Sequence, residues 1–199
     1  MFEIAEYIGI IAFAISGFFV GVRNKLDLLG VLIASFLTAL GGGIIRDIIV
    51  NKIPFTFTHN YPGIMVILIL LLLISFKFHR KNSLENKMLF IISDSIGLVS
   101  FSISGALVGI EYHFNLTGII FLAFITAVGG GIARDVIINE VPFVLKTGFY
   151  GTVSIIIAIS LYLLTLLNAA TYTTISLLFF FALSLRLTAY YFRWSIPLK

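Results

Sequence analysis

The feature that most constrains this chain is a phrase it contains twice. Gly41-Gly42-Gly43-Ile44-Ile45-Arg46-Asp47 returns 88 positions later as Gly129-Gly130-Gly131-Ile132-Ala133-Arg134-Asp135. Both copies run on to the same landing, Asn51, Pro54 and Phe55 in the first and Asn139, Pro142 and Phe143 in the second. Of the 15 residues from Gly41 to Phe55, ten are identical to their partners. Each copy sets three adjacent glycines, costing about 1 kcal/mol apiece in a helix relative to alanine, inside an apolar run. The same run holds an Arg-Asp pair, and a charge at mid-membrane costs about 2.5–3.5 kcal/mol on insertion scales. A chain that carries both costs in both halves is expected to use them.

The surrounding runs identify the solvent. The 199 residues are 60% hydrophobic and 11% charged, with a mean hydropathy of +1.13, whereas soluble domains run near 25% charged. Seven apolar spans can be read, at roughly 4–22, 28–50, 62–76, 88–110, 116–138, 149–167 and 173–192. A run of about 20 residues crosses a ~30 Å hydrocarbon core at 1.5 Å per residue, and only the third span needs its flanks to reach. The expected class is an all-α polytopic membrane protein rather than a β-barrel, whose strands alternate over about 10 residues. The opening Met1-Phe2-Glu3 lacks a basic n-region, so the first run reads as a retained helix and not as a signal peptide. The absence of cysteine excludes disulfides and thiol chemistry. His59, His79 and His113 lack metal-ligand spacing, so no metal site is expected. No nucleophile–base arrangement, phosphate loop or zinc-protease motif is present, so no enzyme is expected.

The repeat extends beyond the doubled phrase. At the same offset Gly9 matches Gly97, Ser16-Gly17 matches Ser104-Gly105, Gly21 matches Gly109, and Thr38 matches Thr126. We read one transmembrane domain made of residues 1–88, a second unit of residues 89–168, and an unpaired seventh helix within 169–199. Three spans per unit is an odd number, so the second unit inserts upside down relative to the first. Sites in such inverted repeats tend to lie at the midplane, where broken helices of both halves meet. Orientation follows from the cations. If loops alternate sides, Arg23, Lys25, Lys77, Arg80, Lys81, Lys87, Lys146, Arg193 and Lys199 share one side and only Lys52 takes the other. Positive loops stay cytoplasmic, which puts the N-terminus outside and the C-terminus inside. The net charge of +4 therefore reports topology rather than nucleic-acid binding.

Helices 2 and 5 are expected to break at their triple glycines. Thr38, Gly42 and Arg46 fall four residues apart on one face, as do Thr126, Gly130 and Arg134. Inversion turns the two faces toward each other, so these residues are expected to line one polar passage narrowed by Arg46 and Arg134. The competing reading is a structural lock, with crosswise pairs Arg46–Asp135 and Arg134–Asp47, because neighbours in a helix do not face each other. In helices 1 and 4 the four-residue glycine spacing reads as close packing. Ser16 and Ser104 border that face and could bond across helices or touch the passage. Asp94, the repeat partner of Glu6, reads equally as a cation attractor at the cytoplasmic mouth or as a helix cap. Arg186 reads as snorkelling to the interface beside the Tyr190-Tyr191-Phe192-Arg193-Trp194 belt, with a pore role second.

The doubled Gly-Gly-Gly-x-x-Arg-Asp followed by Pro, on seven spans in a 3+3+1 arrangement, resembles the trimeric intracellular cation (TRIC) channel family. The closer likeness is to its prokaryotic members, many of them labelled glycine-transporter-like. The resemblance implies a homotrimer with a pore in each protomer, bounded by kinked helices 2 and 5 and passing K⁺ or Na⁺. It carries the family's glycine hinges to Gly41, Gly42, Gly43, Gly129, Gly130 and Gly131, and its basic pore residues to Arg46 and Arg134. With Asp47 and Asp135 these complete the expected pore set. The resemblance further implies a prokaryotic plasma membrane, no cofactor, and membrane lipid as the other bound partner. A secondary carrier for a small zwitterion such as glycine, its carboxylate held by Arg46 or Arg134, is the alternative, and a scaffold without a transport path is the third reading.

Overall fold

The computed structural model describes residues 2–80, 83–146 and 148–194. Among the described residues it is entirely helical. The helices are α1 (Phe2–Arg23), α2 (Leu28–Ile49), α3 (Phe55–Thr58), α4 (Tyr61–Ser75), α5 (Ser83–Glu111), α6 (Leu116–Ile137), α7 (Phe143–Lys146), α8 (Gly151–Leu166) and α9 (Tyr172–Tyr191). Five of them (α1, α2, α5, α6 and α9) are long and apolar enough to cross a membrane, and α4 and α8 are shorter apolar helices. The seven expected spans coincide with these seven helices to within a few residues, except that α5 begins earlier. Lys81 and Lys199, both used for the orientation, lie outside the described residues.

The two units are built alike. In each, the first helix packs on the second, and the third lies against both: α4 on α1 and α2, α8 on α5 and α6. The units then meet like on like, α1 against α5 and α2 against α6, while α9 sits outside the symmetry on α5 and α8. Local sequence sets the repeated boundaries. Asp27 and Asn115 each accept the N–H of the glycine three residues on, at 2.7 and 2.8 Å, capping α2 and α6. Both helices end at asparagines in the left-handed region, Asn51 at φ 56° and Asn139 at φ 59°. One residue further, the N–H of Lys52 bonds Asp47 O and that of Glu140 bonds Asp135 O, both at 2.8 Å. This is the turn that closes a helix on a residue tolerant of positive φ, and it explains the asparagine in the doubled phrase.

The expected breaks at the glycines do not occur. α2 and α6 are continuous helices through Gly41–Gly43 and Gly129–Gly131, and no described glycine has positive φ. The reason lies in the contact between the two helices. A Cβ on Gly42 would collide with the carbonyl oxygen of Thr126, and one on Gly130 would stand 2.6 Å from the carbonyl oxygens of Leu37 and Thr38. A Cβ on Gly41 would lie 3.0 Å from the Cα of Gly130. Backbone meets backbone at this crossing, which only residues without a side chain allow. The glycines of α1 and α5 play the expected packing part: Gly9 lies under Phe101 and Gly97 under Phe13, and the two rings stack at 5.3 Å where the units meet.

Candidate functional site: two buried ionic clusters at the meeting of the repeats

The doubled Arg-Asp pairs are buried, with Arg46 1% and Arg134 2% exposed. Each arginine pairs with the aspartate beside it rather than crosswise. Arg46 Nε donates to Asp47 Oδ1 at 2.9 Å and Arg134 Nε to Asp135 Oδ1 at 2.8 Å. The corresponding Nη2 atoms lie 2.7 and 2.8 Å from the same oxygens. The crosswise expectation overlooked the landing: the second aspartate oxygen is committed elsewhere. Asp47 Oδ2 accepts the N–H of Phe55 at 3.0 Å, and Asp135 Oδ2 that of Phe143 at 2.7 Å. Each aspartate thus ties its own arginine to the short helix after Pro54 or Pro142, and the proline ring leaves the next amide as that helix's first free donor. The eight-residue interval from Asp to Phe is a local latch within one unit.

Beyond the shared latch the two clusters diverge. In the first, Arg46 Nη1 is ion-paired with Glu6 and donates to Ser104 Oγ at 2.6 Å, while Ser104 also donates to Glu6. The Phe2 ring covers the guanidinium at 5.0 Å. In the second, the positions related by the repeat are Asp94 and Ser16, and Ser16 Oγ donates to Asp94 Oδ1 at 3.1 Å. Arg134 does not close on Asp94; its Nη1 reaches Thr38 Oγ1 across the units at 3.3 Å. Asp94 Oδ2 is buried and accepts no hydrogen bond, although Tyr150, Arg134 and Arg186 are its electrostatic neighbours.

Arg186 is not at the interface. It is 2% exposed, with its guanidinium 4.7 Å over the Tyr150 ring and 5.8 Å from that of Tyr190. Its Nε and Nη2 have no hydrogen-bond partner. The expectation of snorkelling failed because α9 packs on α5 and α8 and turns this residue inward, toward the Asp94 cluster.

The two arginines therefore stand in separate settings. They occupy two clusters, each completed by a hydroxyl from the opposite unit. Thr38 and Thr126 are buried between them, and each spends its own proton on the helix, on Ala34 O and Leu122 O at 2.6 Å. Gly43 and Gly131 border the guanidinium groups, whose Nη2 atoms lie 3.8 Å from where a Cβ would stand. A cavity of about 340 Å³ reaches Arg134 and Asp135, rimmed by Arg23, Glu140 and Lys146. Arg23 and Glu140 bridge its mouth at 3.1 Å. Glu6, Asn51, Asn139 and Tyr150 were not singled out from sequence as site residues. For Glu6 a signal existed, since an acid stands at both equivalent positions.

Two like-built three-helix units meeting at buried ionic clusters, on helices of which five are long and apolar enough to cross a bilayer, fit an integral membrane protein. A family model described as "Glycine transporter" matches residues 3–80 and 91–166. A membrane protein of Bacillus subtilis, YvgT, is 34% identical over 200 residues, covering 98% of this chain and 95% of that protein. A membrane protein of Deinococcus radiodurans is 40% identical over 140 residues, where the match spans 70% of this chain and 64% of that protein. Among solved structures, one from work on conductance through TRIC cation channels is 35% identical, with a TM-score of 0.86 over 100% of this chain and 97% of that one. A prokaryotic TRIC channel crystallised in 0.5 M KCl is 29% identical, with a TM-score of 0.89 and 98% of each chain covered. The chain belongs to the prokaryotic branch of the TRIC family, whose sequence model carries the glycine-transporter description.

Proposed function

We propose that this protein is a passive monovalent cation channel, K⁺ being its principal ion. It works as a homotrimer of seven-span protomers in a prokaryotic plasma membrane, with the N-terminus outside. The observation that carries this reading is full-length likeness to TRIC cation channels, joined to paired ionic clusters buried where inverted units meet. Charge buried in a membrane protein without a transport role is costly and rare. The pathway runs between the units past Thr38, Arg46, Asp47, Thr126, Arg134 and Asp135, and the glycine crossing of α2 and α6 is its closed gate. Backbone contact at Gly42 and Gly130 leaves no room for an ion there, so conduction requires the two helices to part. Downhill cation flow through such a path balances charge moved by other transport.

The carrier reading keeps one specific support, the glycine-transporter description of the matching family. Purified protein in planar bilayers separates the two. Discrete single-channel steps whose reversal follows the K⁺ gradient are expected. Silent bilayers, together with saturable glycine counterflow in proteoliposomes, would replace the channel by the carrier.

A further inference from the structure

Glu6 and Asp94 hold the same place in the two units, and the repeat puts a serine of the opposite unit on each, Ser104 and Ser16. They differ by one methylene. The longer acid reaches its arginine, and Glu6 is consumed by Arg46. The shorter one does not: each acid keeps one buried oxygen without a hydrogen-bond partner, Glu6 Oε2 and Asp94 Oδ2, but among the described residues only Asp94 also lacks an ion pair. A buried carboxylate with no counter-charge bound to it is costly, and native proteins pair such groups or place an ion on them. The surroundings differ in the same sense. Phe2 closes over Arg46, whereas Arg134 lines the 340 Å³ cavity. From that lining a run of rings leads inward, Phe90 on Phe143 at 5.3 Å, Phe143 on Tyr150 at 5.5 Å, and Tyr150 beneath Arg186.

We propose that Asp94, assisted by the Ser16 hydroxyl oxygen, is a monovalent-cation site on the inner side of the crossing, and that the missing methylene keeps it open. This rests on the channel reading for its place in the path, but not for its existence. The carboxylate and hydroxyl oxygens replace part of the hydration shell of an alkali cation. Arg134 and Arg186 act on the same carboxylate and hold the affinity down, as conduction requires a site an ion can leave. The outer cluster differs because Arg46, bound through Oε1, already neutralises the Glu6 carboxylate. The two halves of a symmetric frame are thereby divided, one locked and one receptive.

The test uses the full-length protein crystallised with Tl⁺ in place of K⁺. An anomalous peak at the Asp94 carboxylate, with none at Glu6, is expected. In Asp94→Asn the peak should vanish, and in Asp94→Glu it should vanish because the longer acid closes on Arg134. No peak at Asp94 in the native protein, or one that persists in Asp94→Asn, overturns the proposal. In bilayers Asp94→Asn should raise the half-saturating K⁺ concentration at least about five-fold, the factor one unit charge a few ångströms away is worth even in water. Native protein that passes no current would remove the channel reading, while the Tl⁺ peak still decides the site.

Discussion

At the scale of single residues, the paired arginines are not equivalent despite their shared motif. Removing Arg46 strands Glu6 and Asp47, two buried carboxylates that depend on it. Breaking one side of a buried pair costs about 3–5 kcal/mol. Arg46→Ala should therefore lower thermal stability in detergent sharply, and Arg134→Ala less, because only Asp135 loses an ion pair. Equal losses would contradict the division into a locked and an open cluster. Asn51 offers a smaller test. Its φ of 56° suits Gly as well as Asn, so Asn51→Gly should be tolerated, while Asn51→Val should cost about 1–2 kcal/mol. Comparable melting points for the two variants would remove the turn from the explanation of the motif.

Among elements, the crossing of α2 and α6 decides the most. The three glycines of each phrase have separate tasks. Gly42 and Gly130 let backbones touch, whereas Gly43 meets nothing closer than 3.8 Å. Gly42→Ala should force the helices apart at a cost of about 1–3 kcal/mol, and Gly43→Ala should be nearly neutral, both read by thermal unfolding in detergent. Hinges in the backbone would make both positions sensitive; contact makes only one so. This is also where sequence reasoning went furthest astray. A glycine run announces that side chains are unwelcome, but whether the backbone must bend or another backbone must approach depends on the partner helix. No property of Gly41–Gly43 alone distinguishes the two. The spans themselves were legible because each is a long apolar run, and the capping residues Asp27 and Asn115 sit where the runs begin. Arg186 was misread for a related reason. α9 has no repeat partner, so nothing in the sequence indicated which side of it faces α5 and α8.

For the whole molecule, the repeat offset of 88 was the most informative single number in the chain. It pointed to the meeting of α2 with α6, which is present, and left unread that α1 meets α5 in the same way. What it concealed was asymmetry. A repeat read from identities emphasises what the halves share, and the proposed cation site rests on where they differ: Glu6 against Asp94, and Phe2 over Arg46 against an open cavity at Arg134. The absence of cysteine makes the passage between halves directly testable. A Cβ on Gly129 would lie 2.9 Å from Ile45 Cδ1, across the crossing, so cysteines at the two positions are neighbours across it, and loss of free thiol on oxidation shows when they have joined. Single-channel recording of the Ile45→Cys/Gly129→Cys protein, oxidised and then reduced in the same bilayer, asks whether cations pass where the two units meet. Silence when the bond is closed, with K⁺ currents restored by reduction, is the expected result; currents of full size through the cross-linked protein would contradict it.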